Sequence, residues 1–310
     1  MSGFEVVNPG ILTLLQDKGR FGLMDIGVTN SGAIDEFAFL WANYLLENKL
    51  DTNVLEIAFS GLTLRSKGNT SISITGADLD FSINNIKKKP WQCFNIKDGD
   101  VIKFSKNISG QRAYLSVKDG FLLEKEFNSN STTLKEKLGG IEGRAIKKAD
   151  FLPFNVLSSS LPLKRVKNTF HPDYPKTLIL RVILGYQEKN FSSSEKYKFF
   201  NSDFKVSAEA NRMGIKLDGM QISADIDGII SEGICFGAIQ IPKDGRPIVL
   251  LKDRQTIGGY PKIGSVLSID CFKLSQAKTG TKIRFEEISI EDAISKTKSF
   301  YKQFEKKEEE

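Results

Sequence analysis

The stretch LLKDRQTIGGYPKIGSV, residues 250–266, sets Asp253, Arg254, Gln255 and Thr256 before a Gly258–Gly259 pair, then adds Tyr260 and Lys262. A hairpin needs roughly two to five loop residues and little chemistry. This loop carries far more. Arg254 and Lys262 can neutralise a phosphate or a carboxylate, Gln255 and Thr256 can fix a planar amide, and Asp253 can take a proton or hold magnesium. Asp253, Arg254, Gln255 and Lys262 are therefore the candidate catalytic residues. Thr256, Gly258, Gly259 and Tyr260 are candidate substrate contacts, joined by Gln240 from the strand-like run upstream, where Glu232 also lies.

Two further stretches hold function-capable residues. QDKGRFGLMDIGVTNSGAIDEFA contributes Arg20 as a candidate substrate ligand, alongside Gln16, Asp17, Asp25, Asn30 and Ser31. Its Asp35 can serve a site or cap a helix. In EANRMGIKLDG, residues 209–219, Arg212 can bind substrate or form an ion pair with Asp218 or Glu209. No metal-ligand set is assigned.

Several chemistries are excluded. His171 is the single histidine and sits in the proline-rich FHPDYP, so a Ser-His-Asp triad or a histidine zinc site within this chain is not expected. No G-x-x-x-x-G-K-[ST] occurs, so a P-loop does not hold ATP here. None of the four methionines adjoins a lysine, which argues against covalent biotin on this chain. Acid–base work falls to carboxylates, tyrosine or lysine, which suits amides, ureas or carboxylated intermediates.

The elements that must position these residues are mostly strands. Runs such as ILTLL, VLEIAF, SISITG, AYLSV, LILRVIL, PIVLL, SVLSI and KIRFEEIS are rich in β-branched residues and broken by Gly, Asp or Asn. Three stretches read as helices: 35–48 behind Asp35, 192–200, and the tail from Ser289, whose EKKEEE end is expected to fray. Residues 156–177, rich in serine and proline, read as a linker between lobes at 1–155 and 178–310. KDGDVIKF (97–104) and KTGTKIRF (278–285) echo each other across it, which argues for two related β lobes. A net charge of +6 is spread along the chain, without the basic stripe that nucleic acid needs. Three separated cysteines and the lack of a signal or spanning segment point to a cytoplasmic protein away from membranes.

GILTLLQDKGRFG, GVTNSGAIDEFAFLWANYLLEN, LEIAFSGLTLR, LGGIEGR, NRMGIKLDG and SEGICFGAIQIPKDGRPIVLLKDRQTIGGYPKI together resemble the family of the 5-oxoprolinase C subunit. That family is also called allophanate hydrolase subunit 2 or biotin-dependent carboxyltransferase. The resemblance implies a mainly β fold of two cyclophilin-like β-barrel lobes with a few short helices. It implies subunits B and A as partners, and ATP with magnesium as cofactors of a complex that opens 5-oxoproline to glutamate. Relatives fused into urea carboxylase move a carboxyl group from carboxybiotin to urea, and another counters an inhibitor of a sporulation kinase by binding it. Those are the alternative functions. The chain departs from the usual family pattern at Gly185-Tyr186-Gln187, where Gly-Pro-Gln is common.

Overall fold

A computed structural model describes residues 1–305. The rest of the charged tail that the sequence marks for fraying lies outside the described residues. The chain divides into two compact units. The first comprises Met1–Phe21 and Ser31–Tyr174; the second comprises Gly22–Asn30 and the chain from Pro175 onward. Residues 22–30 thus belong with the second unit, although the sequence placed them inside the first lobe.

In the first unit, Phe151–Pro153, Gly3–Pro9, Leu62–Lys67, Val101–Phe104, Phe81–Ile83 and Ile86–Lys87 form a six-stranded sheet in that order. Leu12–Gln16, Val54–Ala58, Ser109–Val117, Thr70–Asp78 and Gln92–Ile96 form a five-stranded one. Phe4, Leu64, Ile102 and Phe104 from the first sheet meet Leu55, Ile57, Ile72, Ile74 and Leu115 from the second in one apolar core. Leu62–Lys67 alternates buried and open positions, as a strand with one wet face should. Thr70–Asp78 is buried almost throughout because α1 (Glu36–Leu45) covers its other face. Its hydroxyls match that cover: Ser73 and Thr75 donate to the carbonyls of Ala42 and Ala38, each at 2.6 Å.

Asp35 caps α1, its Oδ1 accepting from the Ala38 amide at 3.1 Å. The Asp35 amide in turn donates to the Tyr114 hydroxyl, which donates to Glu56 at 2.8 Å. Burial, reinforced by Glu56, pushes the Tyr114 phenol well above its usual value and keeps it a donor. Asp17 organises a second buried network. Its carboxylate accepts from the Ser129 and Ser131 hydroxyls and from the amides of Asn130 and Gly19, at 2.6–2.8 Å.

Residues 156–166 run along the exposed side of Gln92–Ile96. Cys93 and Asn95 bond to the backbone of Leu161 and Lys164, and Val166 donates to the Trp91 carbonyl. A covered edge cannot pair with another chain. His171 stacks on Trp91 with ring centroids 5.5 Å apart and contacts the Val166 carbonyl, so the single histidine is part of this packing.

The second unit is a closed seven-stranded barrel. Its order is Thr177–Leu184, Lys262–Val266, Ala238–Gln240, Ile248–Leu250, Gly214–Asp218, Phe204–Ala210 and Lys282–Glu287. The parallel pairing of Thr177–Leu184 with Lys282–Glu287 closes it. α2 (Ser193–Asn201), capped by Ser192, packs Phe199 against Phe285 with centroids 4.3 Å apart. α4 (Ile290–Lys302) starts at Ser289 as the sequence predicts. The run SVLSI, read as a strand, is split: the strand stops at Val266 and α3 (Ser268–Leu274) begins. The reason is Asp270, buried in α3 and holding Arg181 through both carboxylate oxygens.

The echoed segments adopt one hydrogen-bond pattern. Asp100 and Thr281 each donate back to the lysine three residues earlier, across Gly99 and Gly280 at φ 84° and 85°. Each glycine amide then donates to a residue of an adjacent strand, Ser66 or Val206, whose own amide returns a bond to Asp100 or Thr281. The expected outcome of Asp17→Ala is a loss of about 3 kcal/mol in denaturant unfolding, because several buried donors lose their acceptor together. An unchanged midpoint would show that the 129–131 segment holds its shape without Asp17.

Candidate functional site

The loop that follows Ile248–Leu250 is fixed from both sides. Leu251 and Asp253 donate their amides to the carbonyls of Met213 and Arg212, at 2.8 and 2.9 Å. On the return, Ile257–Gly258 pairs with Glu232–Gly233 in a small ribbon, and the amides of Ile229 and Ile241 donate to Gly259 and Pro261. Gly258 lies at a close approach. A Cβ there would lie 2.6 Å from Ile234 Cδ1 and 2.7 Å from Gln240 Nε2, both on buried side chains.

The charged residues of the loop are largely committed to one another. Arg212 grips Asp253 in a two-pronged pair, Nε to Oδ2 at 2.7 Å and Nη2 to Oδ1 at 2.9 Å. The ion pairs expected of Arg212 with Asp218 or Glu209 are instead made by Arg246. With both Asp253 oxygens so held, magnesium has no ready ligand there. Among the described residues no three His, Cys, Asp or Glu side chains converge on a metal position.

Arg254 is buried, and burial lowers the proton affinity of its guanidinium. Its Nε donates to the Ile234 carbonyl at 2.9 Å, Nη1 to Leu251 at 3.3 Å and Nη2 to Asn30 Oδ1 at 3.1 Å. Thr29 closes the other side, its hydroxyl donating to the Arg254 carbonyl at 2.9 Å. The cation that residue type assigns to an anion therefore fastens the 22–30 segment to the barrel.

Three loop residues remain open to a ligand. Gln255 and Tyr260 are exposed and Thr256 is half-buried, and no side-chain hydrogen bond engages any of them among the described residues. Lys262 lies beside them and pairs with Glu232. Tyr186 donates its phenol to the other oxygen of Glu232. Beneath them the buried Gln187 amide donates to Tyr186 Oη at 2.9 Å and to Glu232 Oε1 at 2.8 Å, and its oxygen accepts from the Lys262 amide at 2.8 Å. Lys262, then Tyr186, hold the Glu232 carboxyl below its usual range. Glu232 in turn holds the Tyr186 phenol above its own.

Of the candidate residues, the second unit therefore brings together Arg212, Gln240, Asp253, Arg254, Gln255, Thr256, Gly258, Gly259, Tyr260 and Lys262. Arg20 lies in the first unit, buried, with its guanidinium on the Ser131 carbonyl and the Thr133 hydroxyl. Sequence reasoning missed Tyr186 and Gln187, which it treated as a turn. The available signal was the tyrosine at the usual proline position of that turn.

The family described as "carboxyltransferase domain, subdomain A and B" matches residues 26–287. The chain belongs to that family. It is similar to the 5-oxoprolinase C subunit of Haemophilus influenzae, 30% identical over 284 residues covering 90% of this chain and 89% of that protein. The Escherichia coli 5-oxoprolinase C subunit is 30% identical over 307 residues, 97% of this chain and 96% of that protein. Among solved structures, the urea amidolyase of K. lactis superposes on 99% of this chain with a TM-score of 0.91 at 27% identity; the chain spans 20% of that protein.

Two outcomes test this geometry. Arg254→Met should lower stability by about 3 kcal/mol and speed amide exchange across 22–30, since buried acceptors lose their donor. Arg254→Lys should not restore it, because an ammonium lacks the planar fork. Unchanged exchange at 22–30 would overturn the fastening role. The second concerns Glu232, whose folded value lies below the usual carboxylate value of about 4.3. Its stabilising effect is complete above that value and is lost as the pH falls through the lowered folded one. Glu232→Gln should therefore be less stable than wild type at pH near ~6, with the gap closing below about pH 4. A gap independent of pH would mean the pair contributes nothing.

Proposed function

We propose that the chain is the C subunit of an ATP-dependent 5-oxoprolinase, a cytoplasmic complex with subunits A and B that opens the lactam of 5-oxoproline to L-glutamate. The observation that carries this reading is the 30% identity to two 5-oxoprolinase C subunits, which the chain matches over 89% and 96% of their length. The site agrees in kind. Gln255, Thr256 and Tyr260 offer amide and hydroxyl groups to a lactam, and Lys262 offers a cationic donor next to them.

Asp253, the residue assigned to magnesium, is held by Arg212, and the sequence carries no P-loop motif, so this reading places ATP on another chain of the complex. A second reading is a carboxyltransferase component that uses biotin carried by another protein. It is favoured by the family description and by the similarity to urea amidolyase.

Purification with subunits A and B, followed by an assay of 5-oxoproline-dependent ATP hydrolysis, tests the proposal. Turnover is expected from the complex and is absent from this chain alone. Robust turnover by the isolated chain would overturn the subunit reading. Urea-dependent carboxybiotin consumption without oxoproline turnover would favour the second one. Intact-mass analysis after co-expression with a biotin ligase should show no biotin adduct in either case.

A further inference from the structure

We propose that Tyr186 is a specificity-determining residue of this site: its phenol locks Glu232 against Lys262, so that the position at Lys262 takes a neutral carbonyl group and rejects a second anion. The inference rests on the preceding reading only in placing a ligand beside the Gly258–Tyr260 loop.

Among the described residues, Lys262 is the cation at that edge whose ammonium has donors to offer. Arg212 is paired with Asp253, and Arg254 is buried against carbonyls. A lysine ammonium has three N–H donors; here one goes to Glu232 Oε1. No second hydrogen bond from that ammonium occurs among the described residues, and the side chain keeps 13% of its surface exposed.

The charge of that ammonium is already balanced. Lys262 and Glu232 together sum to zero, and a carboxylate or phosphate arriving at Lys262 would face the Glu232 carboxylate on the same nitrogen. A like charge so close disfavours binding, whereas a carbonyl oxygen takes an N–H without that repulsion. Selectivity therefore depends on Glu232 staying in place. Three donors keep it there: Lys262, the buried Gln187 amide at 2.8 Å, and the Tyr186 phenol on the opposite oxygen. Gln187 also carries the Lys262 backbone amide, so it is part of the scaffold. Tyr186 is different: its side chain is exposed, and it reaches over the lip to contact Glu232 and Gln187. Because its phenol stays protonated at neutral pH, it acts as a donor and not as a base.

The test uses the full chain, isotopically labelled, with 2-pyrrolidinone as the neutral carbonyl probe and acetate as the anion probe. Both are titrated at neutral pH and followed through the backbone amides of Lys262, Gly258 and Gly259. Wild type is expected to bind 2-pyrrolidinone and to show no saturable response to acetate. Tyr186→Phe should narrow that preference by at least about tenfold, the scale of one hydrogen bond to a charged group. Glu232→Gln should abolish the preference, acetate then binding at Lys262. Ultraviolet titration supplies an independent signature, since the raised phenol of Tyr186 should return toward the ordinary value in Glu232→Gln.

Acetate binding to wild type as tightly as 2-pyrrolidinone would overturn the proposal. So would an unchanged preference in Tyr186→Phe, or no response of these amides to either probe. Loss of oxoproline turnover by the complex with this preference intact would refute the functional reading of the preceding subsection and leave the present one standing.

Discussion

A buried guanidinium holds the second unit's loops together. Arg254 donates to the carbonyls of Ile234 and Leu251 and to the side chain of Asn30, joining three segments distant in sequence. Such burial is costly unless the donors are satisfied, and here two of the acceptors are backbone oxygens. The Leu251 carbonyl also accepts the Arg254 amide, so that turn is held by backbone and side chain together. The Thr29 hydroxyl on the Arg254 carbonyl extends the same lock to residues 22–30.

From that lock follows a division of labour among polar residues that look alike in sequence. Arg212, Asp253 and Arg254 shape the loop, while Gln255 and Tyr260 reach its surface and Lys262 stands half-buried beside Glu232. Residue type alone cannot separate the two groups, because both consist of groups able to bind a ligand. Partners separate them: Arg212 and Asp253 hold each other at both ends and Arg254 is spent on carbonyls, whereas among the described residues the Lys262 side chain has a single acceptor and those of Gln255 and Tyr260 have none. A charged side chain within reach of backbone carbonyls is drawn into structure, and one held at a rim by a single partner keeps donors for something else.

Much of the fold was legible in the sequence, because local rules decided it. Asp35, Ser192 and Ser289 each cap the helix that their spacing indicates. The shared Lys-x-Gly pattern at 97–104 and 278–285 gives the same turn, since glycine at positive φ fixes the backbone. What was not legible depended on distant partners. The assignment of 22–30 to the second unit is set by Arg254, more than two hundred residues away. α3 replaces a predicted strand because Asp270 finds Arg181, which no local periodicity reports. Of the site, the loop itself was recognisable from its density of polar residues, but the Tyr186–Gln187 brace came from a turn that offered no density at all.

The barrel explains why a loop with so many glycines can nevertheless be selective. Glu232 and Lys262 sit on backbone segments that are paired, one in the ribbon with Gly258 and the other opposite Gln240 in the barrel wall. Each is thus held by backbone pairing, Glu232 in the ribbon and Lys262 in the barrel wall at a register shift between Ile239 and Gln240. Gly258 then serves accuracy more than flexibility, because its missing side chain lets Ile234 and Gln240 pack directly beneath the loop. A larger residue there would have to displace the end of one of them, and Gln240 is the barrel-wall partner of Lys262. The chemistry at the rim is thus only as precise as the packing under a residue that has no side chain.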